Sequence, residues 1–203
     1  VKEAHRAVHR IYAAHGGFNL GTSPGRSFAR GKYNFPYMRD YAMDRGVLAD
    51  VSETATTWSN LLPLYYSVSK SLEQAIIDTG SPPFTGCHIS HTYHTGASLY
   101  FTFGFVENPD LGLNQYLHIK KAAEDAFLKG GATLSHHHAV GIEHLPWMEE
   151  DISPAGVSAL QALKSGLDPR AVMNPGKVIP DSAPFEAWGI GPTETALTHT
   201  NGV

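Results

Sequence analysis

From residue 98 to 106 the chain alternates so strictly that few backbones can accommodate it. Leu99, Phe101, Phe103 and Phe105 take every second position, with Ser98, Tyr100, Thr102 and Gly104 between them. Successive side chains of a strand point to opposite faces. The run is therefore a half-buried β-strand with one aromatic face and one polar face that carries Tyr100. Such a strand needs neighbours on its edges and a layer over its apolar side.

The rest of the chain supplies both. The Val- and Thr-rich residues 47–56 predict a second strand and residues 85–93 a third, with a turn near Thr95-Gly96 before the aromatic strand. Trp58, Leu61, Leu62, Tyr65, Val68, Leu72 and Ile76 recur at helical spacing after Thr57, a candidate N-cap, and Gly80 and Pro82-Pro83 end the helix. A second long helix is expected over 113–128, with Tyr116, Leu117, Ala123 and Phe127 inward and Gly130-Gly131 at its end. Upstream, Ala4, Ala7, Val8, Ile11 and Tyr12 mark an amphipathic helix that Gly16-Gly17 stops. Residues 18–35, rich in glycine and basic side chains, read as a loop, and Pro36 opens a short helix over 37–45. Pro146-Trp147 and Pro154 each open a helical stretch, and residues 167–177 are rich in turn formers. The expected fold class is α+β, an antiparallel sheet with helices packed on one face, plus a helical C-terminal segment.

Composition narrows the function. A formal charge of -4 without a basic stripe argues against nucleic acid, and no apolar run reaches the ~20 residues of a membrane span. Cys87 is the single cysteine, so an intrachain disulfide and a thiolate-rich zinc site are both excluded. The expected address is the cytoplasm, with attachment to a membrane surface as the alternative. The chain starts at Val1 in helical spacing without a methionine, and is expected to be a piece of a longer protein.

The densest chemistry is His136, His137 and His138 between Ser135 and Ala139. Imidazole accepts a proton, donates one, or binds a metal. Three constellations follow. Tyr100, the histidine run and Arg39 could move a proton and steady the resulting negative charge; the plain alternative is a strand tyrosine and a solvated arginine. His88, His91, His94 and the run could hold a metal, but alternation sends His91 away from the other two, and the carboxylates at hand, Glu143 and Asp151, do not complete a set. No metal is therefore assigned. Arg26, Arg30 and Lys32 could meet a phosphate, although the segment lacks the P-loop pattern and reads better as a solvated connection.

Taken together, several stretches resemble one family. They are 87–103 (Cys-His-Ile-Ser-His-Thr-Tyr-His-Thr-Gly-Ala-Ser-Leu-Tyr-Phe-Thr-Phe), 134–141 (Leu-Ser-His-His-His-Ala-Val-Gly), and the Asp-Pro and Met-Asn-Pro-Gly-Lys elements within 167–177. Tyr37-Met-Arg-Asp40 and Glu53-Thr-Ala-Thr-Thr-Trp58 fit the same pattern. They resemble the C-terminal part of FAD-linked oxidases of the vanillyl-alcohol oxidase type, and within them the alkyldihydroxyacetonephosphate synthase branch. The resemblance implies FAD bound mainly by an N-terminal domain outside this chain. It also implies a flavin-adduct exchange of an acyl chain for a fatty alcohol, on a phosphorylated or lipid-like small molecule, in ether lipid synthesis. By the same resemblance Tyr100 and His137 handle the substrate proton and Arg39 lies near the substrate phosphate. His136, His138, Asn174 and Lys177 would then face the cofactor, and a homodimer is the expected assembly.

Two departures stand out: Ala139 where the family usually has glycine, and Glu143 where that branch often has lysine. The alternatives are a D-2-hydroxyacid dehydrogenase of the glycolate oxidase kind, and a binding module without catalysis. For the dehydrogenase, His137 and Tyr100 replace an expected glutamate and histidine ligand. The expected organisation is a cap or substrate domain over 1–132, a segment returning to the flavin over 133–180, and an irregular tail over 181–203.

Overall fold

The aromatic strand organises the fold of a computed structural model that describes residues 1–180. The chain divides into two units, Val1–Asp44 and Arg45–Val203; the expected tail over 181–203 lies outside the described residues. In the second unit, β1 (Val47–Thr57), β2 (Phe84–Thr92) and β3 (Gly96–Val106) form one antiparallel sheet in the order β1-β3-β2. The register sets Glu53 and His88 on either side of Tyr100, and Ser52 and Cys87 on either side of Phe101. A bulge between Ile89 and Thr92 breaks β2 near its end. Gly96, where β3 begins, passes so close to β1 that a Cβ there would sit 1.9 Å from the Thr56 carbonyl oxygen. Only glycine allows that approach.

Two helices, α4 (Leu61–Asp78) and α5 (Leu113–Lys129), cover the aromatic face. Leu64, Val68, Leu72 and Ile76 of α4 and Ile119, Ala123 and Phe127 of α5 close over Leu99, Phe101, Phe103 and Phe105. Phe101 and Phe127 meet with ring centroids 5.8 Å apart. Burying one such ring stabilises the fold by roughly 1.5–3 kcal/mol. A smaller cluster, Leu134, Trp147, Met148 and Val157, seats α6 (Met148–Leu167). Inside α6, Ser153 has φ 71° and ψ 157° ahead of Pro154, so two helical stretches meet at a kink. The α+β architecture with helices on one face is as expected.

The first unit is helical: α1 (Lys2–Ala14), α2 (Ser23–Gly31) and α3 (Phe35–Met43). The loop expected over 18–35 is a correction, because most of its second half is α2. Its only large apolar side chain is Phe28, so periodicity had nothing to register, and a proline in the first turn starts the helix. Neither α1 nor α2 buries a residue, and Ile11, Tyr12, Phe28, Tyr37, Met38 and Tyr41 are exposed. Among the described residues no helix is long and apolar enough to cross a membrane.

Candidate active site on the polar face of the sheet

After α5 the chain turns back along the open edge of β1. Thr133 N–H donates to the Ala55 carbonyl (3.1 Å), and Ala55 N–H donates to Thr133 Oγ1 (2.9 Å). Thr54 Oγ1 donates to the Thr133 carbonyl, and His136 N–H to the Glu53 carbonyl (3.0 Å). The start of the histidine run thus lies where a fourth strand would pair. The backbone then leaves that path: His137 has φ 56° and Ala139 φ 63°, in the left-handed region that β-carbons disfavour.

Those two residues throw the three imidazoles in different directions. His136 and His138 turn toward Glu53, with His136 Nδ1 at 3.5 Å from one carboxylate oxygen and His138 Nε2 at 3.3 Å from the other. His137 pairs instead with His91; its ring centroid lies 4.2 Å from that of His136, and its Nε2 2.8 Å from Nε2 of His91. At that distance the two rings share one proton, so one donates while the other accepts. His136 Nε2 pairs with the Tyr93 hydroxyl at 2.9 Å. Tyr100 meets His138 edge-on, with ring centroids 5.7 Å apart.

Glu53 is the keystone, only 3% exposed. Ser90 Oγ–H donates to it; Ser98 lies 2.7 Å from Ser90 and accepts the His91 N–H at 3.0 Å. A single direction of donation satisfies this chain, from His91 N–H through the Ser98 and Ser90 hydroxyls to the carboxylate. Burial alone would raise the pKa of Glu53. The serine hydrogen bonds and the two imidazoles outweigh it, so Glu53 titrates below its usual value. Tyr100 goes the other way: burial, then the charges of Glu53 and Asp50, hold its phenol protonated beyond the usual range.

Of the residues singled out in sequence, Tyr100, His136, His137 and His138 are brought together. It is His138 whose ring meets Tyr100. Asn174 and Lys177 lie exposed in the segment after α6, Asn174 with φ 48°, and the segment is tied to the run's far end by Val178 N–H donating to the Gly141 carbonyl (2.9 Å). Arg39 belongs to the first unit, on α3, with its guanidinium 3.6 Å from Asp40. Glu53, His91 and Tyr93 had no assigned role. Alternation along 47–57 puts Glu53 on one face with Val47, Ala49, Val51 and Ala55, and only the pairing of β1 with β3 reveals that this face meets Tyr100.

The convergent carboxylate judged missing is therefore present. Glu53, His136 and His137 each offer one ligand atom, all within 4.8 Å of one another, which a divalent ion could bridge. Glu143 and Asp151 are committed elsewhere, Glu143 to Tyr116 (2.9 Å) and Lys120 (2.6 Å), Asp151 to Leu134 N–H (3.1 Å). A flavin ring suits this face chemically, since its edge is recognised by groups that donate or accept a proton, and Tyr100, His137 and His138 are such groups. Its pyrophosphate finds no glycine-rich strand-to-helix loop among the described residues.

The architecture is an α+β domain whose polar sheet face gathers proton-handling groups, without a dinucleotide cradle among the described residues. Residues 3–178 match the family described as FAD linked oxidases, C-terminal domain, and the chain belongs to that family. It is 37% identical over 181 residues to alkyldihydroxyacetonephosphate synthase of Dictyostelium discoideum, covering 89% of this chain and 30% of that protein. A solved structure of alkyldihydroxyacetonephosphate synthase superposes with a TM-score of 0.62 at 31% identity, over 88% of this chain and 29% of the other. Glycolate oxidase subunit GlcD of Bacillus subtilis is more distant, 34% identical over 68 residues, or 32% of this chain. The chain spans about 30% of the length of the first of these relatives.

Proposed function

We propose that this chain is the substrate-binding and proton-handling part of a larger FAD-dependent enzyme of the alkyldihydroxyacetonephosphate synthase type. The observation that carries the reading is the convergence of Tyr100, His137, His138 and His91 at the sheet face opposite the one that α4 and α5 cover. When bound, FAD supplies the electron-accepting ring at which the substrate carbon reacts. His137 takes the proton from that carbon and shares it with His91, which is exposed and passes it to water. Tyr100, kept neutral by burial and by Glu53, donates its O–H to the substrate oxygen at which charge builds. Arg39 meets an anionic group of the substrate. His136, His138, Asn174 and Lys177 approach the cofactor. The substrate is a phosphorylated, lipid-like molecule, the assembly a homodimer, and the location cytoplasmic or at a membrane surface. The domain organisation expected from the sequence belongs to the same reading, with residues 133–180 returning to the flavin.

In the full-length protein, Tyr100→Phe is expected to lower kcat by about 10²–10⁴-fold while the flavin absorbance stays intact. Turnover at the wild-type rate in that variant sinks the assignment. A second reading, a 2-hydroxyacid dehydrogenase, is favoured by the metal-compatible spacing of Glu53, His136 and His137 and by the short GlcD match. Bleaching of the full-length protein's flavin by a 2-hydroxy acid would select it; acyl-to-alkyl exchange without net bleaching selects the first.

A further inference from the structure

We infer that Glu53 is a positioning residue for the reaction: it clamps His136 and His138 and thereby aims His137, the imidazole between them. The inference rests on the proposed role of His137. Three observations carry it. The carboxylate is buried, and its two oxygens face one flanking imidazole each, at 3.5 and 3.3 Å. The backbone of the same residue is hydrogen-bonded to the run, through the Glu53 carbonyl and His136 N–H. And the peptide at His137 is left-handed, so with the flanking rings held the middle ring lies against His136, centroids 4.2 Å apart, with its Nε2 2.8 Å from His91.

The tautomers follow from the contacts. With Tyr93 O–H as the donor to His136 Nε2 at 2.9 Å, the His136 proton sits on Nδ1, the atom facing Glu53. His136 Nδ1 is buried without a hydrogen bond, and Glu53 meets it as a charge 3.5 Å away. His138 Nε2 lies 3.3 Å from the second carboxylate oxygen, and a proton on that nitrogen leaves Nδ1 as an acceptor. A carboxylate that holds an imidazole in one tautomer is a recurrent orienting device, and its loss costs on the order of 10- to 10⁴-fold in rate. Here one carboxylate holds two rings in order to aim a third. Glu53 touches neither substrate nor the reacting atoms, so it acts through His137.

The test uses the full-length flavoprotein and the variants Glu53→Gln, His137→Ala and the double variant. Gln keeps the shape and accepts the Ser90 hydrogen bond through its carbonyl, but it offers only one acceptor oxygen for two imidazoles. The expected result is a kcat at least tenfold lower in Glu53→Gln, with little change in KM and full flavin content, and partial recovery in Glu53→Asp. In the His137→Ala background the same change should cost almost nothing, because the residue it aims is gone. A second readout does not depend on turnover. Diethyl pyrocarbonate labelling followed by peptide mass spectrometry should modify His137 first in the wild type, should modify His136 and His138 as readily in Glu53→Gln, and should give an intermediate order in Glu53→Asp.

Equal losses from Glu53→Gln in the two backgrounds overturn the inference, as does an unchanged labelling order. So does a stoichiometric divalent ion that the wild type holds and Glu53→Gln loses, for then Glu53 is a ligand. If the wild type fails to exchange acyl for alkyl groups, the functional reading falls instead. The labelling order then still decides whether Glu53 sets the run.

Discussion

Ala139 is one of six non-glycine residues among those described that stand in the left-handed region. Its φ of 63° would suit glycine, the residue expected at this place from the family pattern. A β-carbon in that conformation costs about 1–2 kcal/mol, part of which glycine would return through its freer unfolded state. Ala139→Gly is therefore expected to raise stability by roughly 0.5–1 kcal/mol, read as a higher urea midpoint of the isolated chain. A lower midpoint would mean that the strain is not there. His137 and Ala139 were legible in the sequence as residues but not as conformations, since nothing local announces a left-handed turn without glycine. Glu53 was hidden for a different reason. A strand reports which side chains share a face, and the partner across the sheet depends on a pairing that periodicity does not encode.

Among the elements, α5 and the loop after the histidine run share a buried ionic network. Lys120 Nζ lies 2.6 Å from Glu143 and donates to the Val51 carbonyl at 2.8 Å, and Tyr116 O–H stands 2.9 Å from both Asp50 and Glu143. His144, 4% exposed, faces the fully buried Glu124 at 3.5 Å. Burial pushes His144 down, but hydrogen bonding to Glu124 and its charge outweigh that and leave the pKa raised. Hydrogen bonds to charged groups contribute roughly 1.5–3 kcal/mol. A folded pKa above the unfolded value of about 6.5 means this contribution is complete below that pH and is lost as pH rises through the folded pKa. The urea midpoint should thus fall as pH rises above about 6.5, and His144→Gln should flatten that fall. Equal slopes for both proteins would show that His144 is not the titrating group. The sequence offered α5 as an amphipathic helix, and its apolar stripe is as expected. Its buried Gln115, Lys120 and Glu124 were invisible, because polar residues on a helix read as solvated until their partners are seen.

At the scale of the whole chain, the two units differ in what holds them. The second has the aromatic core; α1 and α2 of the first bury nothing and keep their aromatic side chains exposed. Short helices without a buried face are marginal in water. Amide hydrogen exchange of the isolated chain should therefore be slowest at 99–105 and faster by orders of magnitude at 2–43. Phe101→Ala, at a cost of about 3–5 kcal/mol, should erase the slow class. Uniform protection over both units would contradict this division. The sheet and its covering helices were readable because alternating and helical periodicities are strong in long apolar elements. The separateness of the first unit was not, since its helices carry the same rhythm as helices that are packed.

The pairing of Thr133 and His136 with the edge of β1 also sets an order of failure. Ala55 and Glu53 hold the run by a few backbone bonds at a sheet margin, where fraying needs far less energy than opening the aromatic core. Warming the full-length protein would release the imidazoles from Glu53 before the sheet melts. Loss of activity with heat should then precede loss of fold and reverse on cooling.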